Sequence, residues 1–452
     1  MHASAEENGL PILTMELRDV RDPQGKLRSV AGQVKPIRGT RAPSPHIVAA
    51  FDTPDGGYEV FTWEGERDGA QTLYRRTTRD FARYSRPRKV HTLSRKVKWL
   101  GAKTMARRSD TGSYLLIAWS RGTPGHGAHA FTSPDGIRWR HERGGEPVYT
   151  DHDAGGLFWC QAASRFIFTQ ATYQRWRKLY PDNIGDATRR VLSHRTSADG
   201  VRWRPARNIG MGKRRPAADL LLPDDQDPPE LEFYWLQAFP YGDRVLGAML
   251  LYAASPQVVN PYMRCGTPDF LPDRKPNKHG PQLAQEWWVT HEPTDVHAWR
   301  RPWRERDAAP PGRALRHVPV VFRDRHVWLD AKGALGVPRH RVAGIASWAN
   351  AQFSTRRFAM PRKPLVLNAA APWHGDKASD AQRQAYIMAE LLDKRDKPIP
   401  GFEREKCIVQ NADGLRLPLR WSGSDSARLA GRTVSLRFYL RDATIYAVGT
   451  AD

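Results

Sequence analysis

The sequence predicts an all-β fold, a five-bladed β-propeller followed by a small antiparallel β-sandwich. Three observations carry this. A DG-x-x-W unit recurs along the chain, apolar runs of strand length pair around turn residues, and the texture changes near residue 364. At 452 residues the chain suits one large all-β domain plus one of about 90 residues.

The repeat comes first. SPDGIRW fills 133–139 and SADGVRW fills 197–203. Degenerate copies are EPTDVHAW, ending at Trp299, and TTRDFARY, ending at Tyr84. In each, a strand ends in Ser or Thr, an Asp or Asp-Gly turn reverses the chain, and an aromatic restarts it. Hairpins precede the repeats: 46–63, 105–120, 156–171, 233–253 and 318–331. A hairpin, a third strand and a DG-x-x-W hairpin make one four-stranded blade, and five fit into 41–363. Radial repetition also disposes of open sheet edges. A six-bladed ring and a plain sandwich are the competing architectures. The long gap from Trp203 to Trp299 reads as insertion, since 204–229 and 256–281 are Pro-rich, charged and unpatterned.

Residues 1–40 read as an N-terminal extension. From 364 onward PLVLNAA, QAYIMAELLD, VSLRFYL and TIYAV alternate with period two, which predicts the sandwich over 364–452.

Composition bounds the function. Lys plus Arg is 71 and Asp plus Glu 48, a net charge of +23. Only +2 of it falls in 364–452, so the propeller carries the rest, a field that attracts polyanions. Three cysteines without motif spacing argue against a disulfide framework or a zinc site. The N-terminus lacks the basic start and apolar core of a secretory leader, and no apolar run of membrane-spanning length occurs. The expectation is a soluble chain, cytoplasmic as written or exported if a leader precedes it, with no membrane partner. Phosphate-binding glycine loops and the G-x-S-x-G elbow are absent, against nucleotide and esterase chemistry. No nucleic-acid reading module accompanies the charge, so no nucleic-acid partner is expected.

The landmarks LVLNA (365–369), AELLDKRDKPIPGF (389–402), LRW (419–421) and LAGRTVSLRFYLRDATIYA (429–447) resemble the terminal module of bacterial glycoside-hydrolase-family-32-like proteins. SPDGIRW, SADGVRW and DPPELEFYWLQAFPYGDRVLGA (227–248) extend the resemblance to most of the chain from about residue 40. Families 32 and 43 share a five-bladed propeller whose axial funnel holds three carboxylates. The resemblance therefore implies a glycosidase.

The first strand of each blade then lines the axis. The candidates at its start are His46 in blade one, Lys98 to Lys103 in blade two, Asp151, His152 and Asp153 in blade three, Glu230 and Glu232 in blade four, and Arg316 and His317 in blade five. Glycoside hydrolysis needs two carboxyl groups across the scissile bond. Asp153 is the candidate base or nucleophile, and Glu232 or Glu230 the candidate general acid. His46, Lys98, Lys103, His152, Trp235, Arg316 and His317 are candidate substrate contacts. Their basic lean suits a uronate or sulfated sugar. Trp99, Trp159, Trp287 and Trp288 are further stacking candidates.

One departure stands out. The families place an Asp where blade one has His46, and Asp52 lies at the far end of that strand. This leaves two alternatives open, a non-catalytic glycan-binding propeller and a polysaccharide lyase. No cofactor or metal is expected. DDQD (224–227) has the charge for a structural calcium but not the alternation of a calcium loop.

Overall fold

The computed structural model describes residues 11–65, 71–93, 98–121, 125–150, 153, 155–175, 188–204, 220–224, 226–227, 231–253, 283–304, 315–372 and 385–451. Its regular structure there is strand, with a few 3-10 turns and no helix long and apolar enough to cross a membrane.

Five antiparallel sheets follow one another along the chain. Blade one is Ile47–Asp52, Tyr58–Gly65, Gln71–Thr78 and Arg88–Leu93. Blade two is Lys98–Arg107, Tyr114–Arg121, Gly127–Ser133 and Arg140–His141. Blade three is Gly155–Cys160, Arg165–Arg175, Thr188–Ser197 and Leu220–Leu221. Blade four shows Leu231–Tyr241, Arg244–Ala253 and Leu283–Thr290. Blade five is Val320–Phe322, Arg325–Asp330 and Gly333–Pro338, and its outer strand is Lys35–Pro36 from the start of the chain. Pro36 pairs with Leu335 and Lys35 with Gly336, so an early strand completes the last blade. Middle strands such as Tyr114–Arg121 are buried on both faces, because a blade has neighbours on both sides. That is why they read as apolar runs instead of alternating ones.

The recurring unit proves to be one corner made repeatedly. In blade two the Ser133 hydroxyl accepts from Gly136 N, and Asp135 Oδ1 accepts from Ile137 N and Arg138 N, each at 2.9 Å. Blade three repeats this with Ser197, Asp199, Gly200, Val201 and Arg202 at 2.8–2.9 Å. Blade one uses Thr78, Asp80, Phe81, Ala82 and Arg83 at 2.9–3.0 Å. The aromatic then ties back, Trp139 Nε1 to Gly136 O at 3.2 Å and Trp203 Nε1 to Gly200 O at 2.9 Å. The central position has φ of +72° at Gly136, +77° at Gly200 and +54° at Phe81. Backbone N–H groups, Arg138 N first, hold the Asp135 carboxyl well below the usual carboxylate range.

Each corner leans on the preceding blade. Trp139 meets Phe61 of blade one edge-on at 6.4 Å. Gly200 abuts Leu115 of blade two. In blade four the Pro293 carbonyl receives His194 Nε2 of blade three at 2.8 Å. Phe81 of blade one packs edge-on against Phe322 of blade five at 5.2 Å. Blades four and five meet through Phe239 and Trp328 at 5.5 Å. The five blades therefore close into a ring, which removes the open edges an isolated sheet would leave.

The second unit is a sandwich of two six-stranded sheets. One orders Ala412–Pro418, Leu365–Ala371, Ala443–Thr450, Ala343–Ser347 and Arg28–Ala31, with Ile12–Leu13 on Ala443–Thr450. The other orders Arg21–Gly25, Ala351–Ser354, Thr433–Arg441, Tyr386–Leu392 and Ile408–Gln410, with Phe358–Ala359 on Thr433–Arg441. Leu367, Phe353, Leu391, Phe438 and Ile445 lie in its core.

The domain boundaries differ from the sequence expectation. The compact units are Val34–Gly336 and, together, the chain up to Gln33 and from Val337 onward. Residues 11–33 thus belong to the sandwich unit and 34–40 to the propeller, and the propeller stops before 363. The physical reason lies in strands such as Arg21–Gly25, which is mostly exposed along its length. An edge strand joined through backbone hydrogen bonds needs no apolar alternation and leaves none in the sequence.

Candidate functional site

Each first strand runs from the mouth of the propeller toward the hairpin end. Three of the five break register near the mouth. In blade one Ile47 pairs with Thr62 but Ala49 with Phe61. In blade two the pairing jumps from Ile117–Thr104 to Trp119–Leu100. In blade four it jumps across Tyr234, between Phe233 and Trp235. Bulges bend a strand and re-aim side chains, and they concentrate beside functional sites.

At blade four the bulge gathers a charged and aromatic cluster. Glu232, on the first strand, accepts the Arg190 backbone N–H on Oε1 at 3.2 Å, and Arg190 Nη1 lies 3.6 Å from its Oε2. None of the Glu232 side chain is exposed, and only 6% of the Arg190 side chain is. The Arg190 guanidinium also sits 4.7 Å from the Tyr234 ring centre. The Tyr234 and Trp235 rings are 5.8 Å apart. Arg316, arriving from blade five, covers the Trp235 ring at 4.9 Å. Blades three, four and five thus place two guanidinium groups, two aromatic faces and one carboxylate together.

Between blades one and two lies a second cluster. Lys103 Nζ stands 4.7 Å over the Trp63 ring. Trp63 Nε1 donates to Gln71 Oε1 at 2.7 Å, and Gln71 Nε2 donates to the Trp99 carbonyl at 3.1 Å, which fixes the indole. Burial pushes the Lys103 ammonium down to about 8.

The remaining candidates fall differently. Asp153 is half-buried at the entrance to blade three. His46 is exposed before blade one, with its carbonyl accepting from Trp63 N at 2.9 Å. His317 corrects the sequence expectation. It is 1% exposed, its Nδ1 donates to the Val318 carbonyl at 2.8 Å, and its Nε2 accepts from Leu329 N at 2.9 Å. With both nitrogens used internally it holds blade five together and offers nothing to a sugar or metal. Burial lowers its pKa, so it is neutral. Trp159, Trp235, Trp287 and Trp288 are at most 5% exposed and pack between strands. Asp151, His152 and Glu230 lie outside the described residues, as does the side chain of Lys98.

A third grouping was not legible in the sequence. A pocket of about 250 Å³ is lined by His91, Trp99, His129, Phe131, His141 and Glu146, among others. His129 Nδ1 lies 3.1 Å from His141 Nε2, and the other His129 nitrogen faces the Gly125 carbonyl at 2.6 Å. Burial, then His129 and His91, pushes His141 down to about 4. Among the described residues no group of three His, Cys, Asp or Glu is placed to hold a metal. Asp224 and Asp227 of the DDQD stretch instead pair with Arg304 and Arg301.

Arg190, Tyr234 and Trp63 were missed because nothing in the sequence marks them. Arg190 sits in TRRVLSHRTS, where a buried arginine looks like an exposed one until its carboxylate is known.

No family model matches this chain, and no curated protein does. Solved structures similar to it include a glycosyl hydrolase from Bacteroides ovatus, at 11% identity and TM-score 0.41, covering 73% of this chain and 98% of that one. A structure described under the GH130 family, with glycoside hydrolases that target β-1,2 mannosidic linkages in Candida mannan, shares 11% identity at TM-score 0.38, over 74% and 94%. The Bombyx mori GH32 β-fructofuranosidase shares 8% identity at TM-score 0.36, over 98% and 94%.

Proposed function

We propose that this protein is a glycoside hydrolase that acts, at the mouth of its propeller, on a poly- or oligosaccharide carrying anionic groups. The observation that carries this reading is the cluster at the start of blade four. There Arg190 and Arg316 flank the Tyr234 and Trp235 faces beside the Glu232 carboxylate. Tyr234 is half-buried and presents a ring that can stack on a sugar, and the exposed Arg316 guanidinium can pair with a carboxylate or sulfate, while the buried Trp235 and Arg190 support them from behind. The net charge of +23, concentrated before residue 364, adds long-range attraction for such a glycan.

In this reading Asp153 attacks the anomeric carbon or activates the water that does. A glutamic acid of blade four, Glu232 or Glu230, gives its proton to the leaving glycosidic oxygen as the bond to the anomeric carbon breaks. A second reading, a glycan-binding propeller without turnover, is favoured by one specific observation. Glu232 is wholly enclosed with Arg190, whereas a general acid must reach its substrate.

The test is a reducing-end assay on neutral and acidic polysaccharides with Asp153→Asn, Glu230→Gln and Glu232→Gln, each checked for folding by circular dichroism. Turnover of an acidic glycan, abolished by Asp153→Asn and by one glutamate change in a folded protein, is the expected result. Turnover that survives all three changes overturns the carboxylate assignment. Binding without turnover selects the second reading.

A further inference from the structure

Several buried or half-buried arginines of this propeller pair with carboxylates. Arg190 has Glu232, Arg301 has Glu286 and Asp227, Arg75 and Arg107 share Glu59, and Arg76 has Glu64. Lys103 departs from that pattern. It lies on the first strand of blade two beside the register break, and its ammonium sits over Trp63. Among the described residues no carboxylate pairs with it, and burial is the cause that depresses its pKa, to about 8. Lys103 is half-buried, and an ammonium partly withdrawn from water without a counter-charge is costly. The cation–π contact with Trp63 offsets part of that cost and fixes where the charge points.

We infer that Lys103 recognises an oxyanion substituent, a carboxylate or a sulfate ester, on the saccharide bound at the propeller mouth. This rests on the mouth being a saccharide site. Lys103 is then a specificity-determining residue, and its neighbours explain the selectivity. A neutral sugar leaves the desolvated ammonium uncompensated, while an oxyanion completes the pair. The charge is present below about pH 8 and lost above it, so the preference for anionic ligands fades in alkali.

The experiment is calorimetric titration of the full chain with an oligogalacturonate, a sulfated galactan oligosaccharide and a neutral oligosaccharide. Wild type, Lys103→Met, Lys103→Arg and the exposed-site control Lys332→Met are compared at pH 7 and pH 9. Lys103→Met is expected to weaken one anionic oligosaccharide about tenfold or more and leave the neutral one unchanged. Which anionic arm responds identifies carboxylate or sulfate. Wild-type affinity for that ligand falls between pH 7 and pH 9, while Lys103→Arg binds equally at both, a readout that a packing role would not move. Equal losses in Lys103→Met and Lys332→Met would mean diffuse attraction to a basic surface and overturn the inference. So would failure of both anionic oligosaccharides to bind. The two proposals fail separately. Hydrolysis of a neutral glycan with equal rates in wild type and Lys103→Met removes Lys103 and leaves the hydrolase. Lys103-dependent binding with no hydrolysis does the reverse.

Discussion

The two ends of the blades are built on different principles. At the corner end the structure is held by short-range bonds. The Asp199 carboxylate and Ser197 hydroxyl satisfy backbone N–H groups within three residues of themselves. At the mouth end it is held by long-range pairs. Glu232 meets Arg190 across two blades, and Arg316 reaches Trp235 from a third. The corner repeats because its bonds are local and any blade can use them. The mouth does not repeat, because each blade supplies a different group to one shared place. Repetition gives the scaffold and its breakdown gives the candidate site.

The largest test of this contrast is Glu232→Gln. It leaves the Arg190 charge buried beside a neutral amide, and removing one partner of a buried pair costs about 3–5 kcal/mol. A denaturant titration should show that loss. The double change Glu232→Leu with Arg190→Met removes both charges and is expected to recover most of the stability. Recovery of folding without activity would assign the pair to the site and not merely to the fold. Recovery of both would mean that the mouth uses other carboxylates.

A second test crosses the blade boundary. His194 of blade three is 5% exposed, and burial pushes it down to about 4 from an ordinary 6.5. The unfolded chain therefore takes up a proton first as the solution is acidified. The contribution of this group is fully present above pH 6.5 and lost as pH falls toward 4. It amounts to about 3 kcal/mol when integrated over that shift. In His194→Gln, the stability difference between pH 7 and pH 4 should shrink by about that much. An unchanged acid limb would show that the protonated ring is accommodated at the Pro293 carbonyl.

These differences explain what could be read in advance. The corners were legible because Ser-x-Asp-Gly-x-x-Trp writes all its bonding partners within seven residues. The four corners, taken with the five hairpins, lead to five blades. Topology alone placed Glu232 near the start of its strand and Asp153 and Arg316 just ahead of theirs, with Lys103 midway along the first strand of blade two. Whether such a residue faces a ligand or a partner depends on a residue far away in sequence. Glu232 and Arg190 are 42 residues apart. His317 was misjudged for the same reason, since its partner Leu329 N belongs to the next strand. Edge strands such as Arg21–Gly25 were missed because backbone pairing leaves no side-chain pattern.

The smallest expected effect probes the corner itself. Blades two and three use glycine at the positive-φ position, Gly136 and Gly200, but blade one uses Phe81 at φ +54°. The Phe81 ring packs 4.5 Å from Tyr58 and 5.2 Å from Phe322, and this packing offsets the backbone cost. Gly200→Ala has no such compensation. Its φ is +77°, and a Cβ there would stand 2.6 Å from Leu115 Cδ2 of the preceding blade. Left-handed backbone costs an alanine about 1–2 kcal/mol, and the Leu115 displacement adds to it. A loss of about 2 kcal/mol is expected, read as a lowered midpoint in chemical denaturation. Gly200→Ala combined with Leu115→Ala separates the two contributions. If the double change is no worse than Leu115→Ala alone, the glycine is there for blade spacing. If the full penalty persists, it is there for the turn, and Phe81 shows that a closely packed ring can meet the same demand.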